Sequence, residues 1–442
     1  MIGEAMESAR FARTVATLVV AALVVGAVAA RGAGTAWADV PAGHDPGDQS
    51  TLFVSPSAHP GHGDWSCNSA GFTTIGAAVS AARPWATVVV CDGTYHEQVV
   101  IPKPLSLEGR DATIDEAGVA PGFVVNLPNT PPLTIFAGVV VTSSHVEVGD
   151  FTIKDALGEG LLAAGLAGPI SDVDINNNQV VHNDQGGGVP PSSTYFECAA
   201  HGQIPGDCGE GIHFIGVADS HISGNYVSGN SGGILLTDET GPTHGNVIDG
   251  NVVTKNLFDC GITVPGHNGN ALDANGTPQP SVAGVYDNII RGNRITDNGT
   301  LGEGAGVLFA NAGPGTASYD NLVTGNYIAG NELAGVTMHA HTLPPGMLED
   351  LNGNDVIGNW IGRNNAGGDP LDTAPPPAPP GTADLVTTGV LVFSGGTPVT
   401  LRIADNHVSD DAVGIWLSKA VTAHGLDDNS FDDVTTQVSA DN

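Results

Sequence analysis

Seven times along the chain the same order of polar and apolar positions returns: an apolar residue, two others, Asn, one other, an apolar residue, two others, then Asn or Asp. The copies are Ile175/Asn178/Val180/Asn183, Ile222/Asn225/Val227/Asn230, Ile248/Asn251/Val253/Asn256, Ile290/Asn293/Ile295/Asn298, Val323/Asn326/Ile328/Asn331, Val356/Asn359/Ile361/Asn364 and Ile403/Asn406/Val408/Asp411. A Gly followed by a β-branched residue usually comes next. The first Asn residues are 47, 26, 42, 33, 33 and 47 positions apart. Such steps fit stacked coils carrying loop insertions or, at the longest gaps, a degenerate extra coil. Strands this short cannot bury a face alone. Stacked at about 4.8 Å they bury one inner column of Ile and Val. The Asn residues are read as turn residues that accept left-handed backbone angles and whose amides bond from coil to coil. Glycines before each strand are read as turn residues too.

Upstream of the repeats, Phe72 to Arg83 has Ile75, Val79 and Ala82 on one helical face, followed by the apolar runs Val88 to Val90, Val99 to Ile101 and Leu105 to Leu107. The pattern predicts a helix capping the open end of an all-β solenoid. Earlier still, Arg10 and Arg13 precede an apolar run from Thr14 to Ala30 and Ala36-Trp37-Ala38. That is the order of a secretory signal, with cleavage expected after Ala38. The organisation expected is a signal over 1–38, a lead-in over 39–71, a β-helix over 72–435 with insertions near 184–208, 265–284 and 365–388, and a tail over 436–442. The Pro-rich run Ala374 to Gly381 cannot join a sheet and belongs to the last insertion.

Composition agrees with this picture. Among 442 residues there are 62 Gly, apolar residues make up 41% and charged ones only 14%, the texture of short strands and tight turns. Removal of 1–38 takes away three Arg and two Glu, leaving 10 basic and 45 acidic residues and a formal net charge of −35. Nucleic acid and anionic membranes are excluded as partners by that charge. Export also permits disulfides: Cys67 with Cys91, and Cys198 with Cys208, leave Cys260 as a buried, inert thiol.

The entry segment Asp92-Gly93-Thr94-Tyr95-His96-Glu97, then Ile101-Pro102-Lys103-Pro104-Leu105, resembles right-handed parallel β-helix repeat proteins of the pectate-lyase-like superfamily, over roughly residues 50 to 435. The resemblance implies a right-handed parallel β-helix. It does not imply one activity, since the superfamily holds polysaccharide lyases, glycoside hydrolases, uronan epimerases and a periplasmic accessory protein of nitrous oxide reductase. The Asp-Pro-His-Glu run of the epimerases and the ordered motifs of polygalacturonases are absent from this sequence.

Aligning the Gly-led strands gives the outward column His213, Leu235, Thr263, Leu308, Thr337, Leu391 and Trp416. Phe393 and Trp416 are candidate sugar-stacking residues on this face. Two copies of one acidic turn, Gly158-Glu159-Gly160 and Gly209-Glu210-Gly211, follow Asp155 and Asp207. On adjacent coils Glu159 and Glu210 stand roughly 5 Å apart, with His213 pointing outward beside them. Glu159, Asp207, Glu210 and His213 are thus the candidate catalytic set, and Asp155, Glu159, Asp207 and Glu210 the candidate ligands of Ca²⁺. Lys255, Arg291 and Arg294 are candidate lyase bases, and Met338-His339-Ala340-His341 with Met347 is the compact soft-ligand group.

Two functions fit. One is a secreted β-helix protein that binds or processes polysaccharide or surface glycan, as lyase or hydrolase. The other is a non-catalytic binding protein of the cell surface that holds Ca²⁺ or another divalent metal. Neither needs an organic cofactor.

Overall fold

The computed structural model describes residues 51–57, 66–120, 122–125, 132–184, 209–301, 304–340, 347–366, 369–373, 383–384 and 386–440. They form a right-handed parallel β-helix. One sheet of eleven strands runs from Val99–Ile101 through Glu159–Ala164, Glu210–Ile215 and Gly232–Thr237 to Thr436–Ala440. A sheet of 21 strands covers two further faces, turning a corner within each coil. A short five-stranded sheet, from Ile170–Ser171 to Ser318–Tyr319, closes part of the perimeter. No described helix is long and apolar enough to cross a membrane.

The repeat phrase sets the register. Ile175, Ile222, Ile248, Ile290, Val323, Val356 and Ile403 stand in one ladder. Val180, Val227, Val253, Ile295, Ile328, Ile361 and Val408 stand in the next. All are buried in one continuous core. Both 47-residue steps are loop insertions, because Val173–Asn176 pairs directly with His221–Ser223, and Asp355–Ile357 with Val399–Ala404.

The Asn residues act through their amides and not through their backbone angles. Left-handed φ falls on the residue just before each Asn of the first ladder, at Asn177, Gly224, Gly250, Gly292, Gly325, Gly358 and Asp405. That corrects the turn role expected for the ladder residues. Each ladder Asn instead accepts from the preceding Asn through Oδ1 and donates to the next through Nδ2. Asn326, for instance, donates Nδ2 to Asn359 Oδ1 (3.0 Å) and Ile290 O (2.9 Å), and accepts from Asn293 N and Nδ2. A third ladder, Ser220-Asn246-Asn288-Asn321-Asn354, runs beside the first two. It was legible as Asn recurring every five residues, as in Asn246, Asn251 and Asn256, but the repeat phrase begins too late to include it.

The second ladder ends on a carboxyl. Asn364 N donates to Asp411 Oδ1 (3.1 Å), while Asp411 Oδ2 is buried with no hydrogen-bond partner. Burial, with Asp410 close by, pushes this carboxyl up to about 8. A protonated Oδ2 supplies a donor where the other ladder residues carry Nδ2. The folded state therefore holds a proton that the unfolded chain loses near pH 4. The cost of ionising Asp411 grows from there to about pH 8 and is then constant. Asp411→Asn is expected to stabilise the C-terminal coils by about 1–3 kcal/mol at pH 9 and by little at pH 4. Thermal unfolding at the two pH values measures the difference, and an equal shift at both would show that the proton is not involved.

At the N-terminal end the helix Ile75–Ala81 buries Ile75, Ala78 and Val79. Its first two N–H groups donate to the Glu97 carboxylate, at 2.7 and 2.9 Å, which satisfies orphan donors of the first turn. The solenoid begins before this helix: Thr51–Val54, in the expected lead-in, pairs with Ala86–Val90. Thr436–Ala440, in the expected tail, pairs with Val413–Leu417. Cys67 and Cys91 form a disulfide of 2.04 Å. Cys198 and Cys208 lie outside the described residues, as does the expected signal over 1–38.

Candidate metal centre

Glu159 opens the strand Glu159–Ala164 and Glu210 opens the neighbouring Glu210–Ile215. Leu161 pairs with Ile212, which sets the two glutamates side by side. His213 comes two residues after Gly211. With Ile212 and Phe214 in the core, the alternation of the strand sends the imidazole to the outer face. One ligand atom each from Glu159, Glu210 and His213 lies within 4.8 Å of the others. Their relative exposures are 0%, 1% and 0%. His213 therefore leaves the core, but it is sealed from solvent and does not face open water.

His213 Nδ1 meets Glu159 Oε1 at 2.8 Å, and Nε2 meets Thr237 Oγ1 at 3.0 Å. Glu159 Oε2 is buried and has no hydrogen-bond partner. An ionised carboxylate buried with one oxygen unmatched is costly without a countercharge. Gly232, in register with Glu210 on the next strand, leaves room for that side chain: a Cβ there would stand 3.2 Å from Glu210 Cγ and 3.4 Å from Glu210 Oε1.

A second acid–imidazole pair adjoins the first. Glu239 Oε1 meets His267 Nδ1 at 2.5 Å, and Glu239 also bonds to Thr237. Burial opposes the charge of Glu239, yet His267 draws its carboxyl down to about 2. Asp238 fixes the arrangement, for Oδ1 accepts from His267 N (2.7 Å) and Asn268 N (3.0 Å) and Oδ2 from Gly284 N (2.6 Å). Burial, then the Glu239 charge, pushes Asp238 up to about 7. No motif in the sequence marks Thr237, Glu239 or His267, because the first two stand at the end of the strand Gly232–Thr237 and the third just after Ile262–Gly266, brought together only by the stacking of coils.

Other expected residues fall elsewhere. Asp155 does not join the glutamates; its carboxylate binds Lys154, which also binds Asp115 (both 2.7 Å). Asp207 and the third acidic copy, Glu303, lie outside the described residues. Trp416 is only 3% exposed, with Phe393 stacked beside it at 6.3 Å between ring centroids. A sugar therefore does not find the Trp416 face open. The column from His213 to Trp416 does have the expected register.

Arg291 binds Asp249 and Arg294 lies over Tyr327, both on the larger sheet and away from the glutamates. The soft-ligand group is taken apart by strand alternation: Met338 points into the core, His339 lies edge-on to Phe393, and His341 is outside the described residues. Cys260 is buried and accepts from Ala305 N; burial and then Asp259 push its thiol upward, so it is inert.

The donor set of one imidazole and two carboxylates suits a divalent ion of the zinc or copper(II) kind. It lacks the sulfur that copper(I) prefers, and with its nitrogen and few oxygens it is a poor match for Ca²⁺.

No curated protein sequence matches the chain significantly. Among solved structures it is similar to an alginate lyase from Paenibacillus sp. str. FPU-7, at 13% identity over 83% of this chain and 96% of that one, with a TM-score of 0.44. It is also similar to the A-module of a mannuronan C-5 epimerase from Azotobacter vinelandii, at 16% over 83% and 90%, with a TM-score of 0.48. A surface adhesin of Streptococcus pneumoniae gives 15% over 83% and 87%, with a TM-score of 0.46. These likenesses carry nothing about activity. A family model described as "Periplasmic copper-binding protein (NosD)" matches residues 146–370, which span the paired glutamates, His213 and most of the Asn ladders and so cover half of the chain: this protein belongs to the NosD family.

Proposed function

We propose that this chain is an exported, non-catalytic β-helix protein that holds one divalent transition-metal ion at Glu159, Glu210 and His213. The observation that carries the reading is the buried, unpartnered Oε2 of Glu159 within a compact set of three ligand-type side chains. The family description, periplasmic and copper-binding, agrees with the apolar segment and Ala-Trp-Ala near the N-terminus and with this donor set, copper fitting as copper(II). Bound there, the ion would neutralise two carboxylates inside a region of low dielectric. Glu159 and Glu210 would hold it through oxygen and His213 through a ring nitrogen. A polysaccharide reading would use the same two carboxylates, but their burial keeps a polymer away from them, so the ion is favoured.

Calorimetric titration of the metal-free protein with Zn²⁺ and Cu²⁺ should give one saturable site. Glu159→Gln keeps the shape and the hydrogen bond to His213 and removes the charge. It is expected to weaken binding roughly 100-fold, at or above the upper end of the loss caused by altering a ligand's outer-shell partner. Absence of saturable binding in the wild type, or equal affinity in Glu159→Gln, would overturn the reading.

A further inference from the structure

A site with three ligands this well buried needs a path for an incoming ion, and its two flanks on the outer face differ in chemistry. Toward the N-terminal coils the face is an apolar patch of Ile135, Ala137, Val140, Leu162, Ala164 and Ile215. Toward the following coils it is polar: His213 bonds to Thr237, Thr237 to Glu239, and Glu239 to His267. Exposure rises along this row. It is nil at His213 and Thr237, then 19% for the Glu239 side chain and 25% for that of His267. Glu239 Oε2 is itself buried and has no hydrogen-bond partner, so an ion entering past the partly exposed Glu239 and His267 side chains meets an unmatched carboxylate oxygen just beneath the surface.

We propose that Glu239 and His267 form the loading route of the buried centre, capturing a divalent ion from solvent and passing it along Thr237 to His213. The proposal rests on the metal-site reading above. The physical case is that a dication loses part of its water shell on entry, and a row of oxygen and nitrogen donors replaces that water stepwise where an apolar patch cannot. A carboxylate at the mouth also raises the local cation concentration. Asp238 holds His267 in place by accepting from its backbone and from Asn268 and Gly284. A residue on a route lowers the barrier in both directions. Its removal therefore slows entry and exit together and leaves affinity nearly unchanged, whereas removal of a ligand changes affinity.

Stopped-flow uptake and release of Zn²⁺, compared for wild type, Glu239→Gln and His267→Gln, tests this. Both variants sit at the half-exposed rim, and thermal unfolding verifies that they fold. The expected result is an association rate roughly tenfold lower or more, dissociation slowed in step, and an equilibrium constant within about threefold of wild type. Wild-type uptake should slow with added salt more than uptake by Glu239→Gln. An unchanged association rate, or a loss of affinity that appears wholly as faster release, would overturn the route, the latter by making Glu239 or His267 a ligand. If the wild type takes up no Zn²⁺ or Cu²⁺, the metal-site reading itself falls, an outcome distinct from a metal-loaded protein whose rim variants behave as wild type.

Discussion

Asn326→Ala is expected to destabilise the solenoid by about 3–6 kcal/mol, as large a loss as a single polar residue in a protein commonly causes. The alanine removes Oδ1, which accepts from Asn293 N and Nδ2, and Nδ2, which donates to Ile290 O and Asn359 Oδ1. Asn293 N, Asn293 Nδ2 and Ile290 O are left in a buried ladder without these partners, at roughly 1–3 kcal/mol each. No water can replace the amide without opening the stack. Asn326→Asp keeps the acceptor and loses the donor, so it should cost less in acid than at neutral pH. Because each coil leans mainly on its neighbours, hydrogen exchange should quicken first between residues 285 and 365. Urea unfolding measures the loss, and a change below about 1 kcal/mol, the worth of a single ordinary hydrogen bond, would mean that the ladder is not continuous in solution.

Gly233→Ala should be comparably severe for a different reason. A Cβ at Gly233 would lie 2.1 Å from Gly261 O and 2.5 Å from Val253 Cγ1. Neither neighbour can move freely, one being backbone inside a sheet and the other a packed core side chain. Overpacking typically costs 1–3 kcal/mol, and against a backbone carbonyl a loss of about 3 kcal/mol or more is expected. Gly396→Ala is the matched control, since nothing lies within 4 Å of the added Cβ; it should be neutral within about 0.5 kcal/mol. Equal melting temperatures for Gly233→Ala and Gly396→Ala would refute the close-packing explanation.

This row changes the meaning of the strand-leading glycines. Gly160, Gly211, Gly233, Gly261, Gly306 and Gly335 were expected to serve turns. They have no left-handed φ; a Cβ at each would lie 3.0 Å or less from the carbonyl of the next glycine in the row. Sequence shows that glycine recurs there. Whether it recurs for backbone freedom or for lack of a side chain depends on what the next coil brings against it.

The acidic pair shows the same division. Its adjacency was legible, since two copies of Gly-Glu-Gly at equivalent places in successive coils must meet. Its burial was not, because a strand's alternation tells which face a side chain leaves by and says nothing of what covers that face. The expected companion Asp155 stands apart for a related reason: the lysine next to it in the chain binds its carboxylate together with that of Asp115 from the preceding coil. Glu239 and His267 could not be seen at all, since their contact joins residues 28 apart through a loop whose path Asp238 fixes.

By itself, then, the sequence determined the coil, its register and its core, because a period repeated seven times leaves one way to stack apolar columns and amide ladders. Tertiary structure alone decided which glycines are steric necessities, which acids are buried, and which imidazoles stand between them. Those properties depend on the neighbouring coil and on the loops laid over the sheet, and local pattern encodes neither.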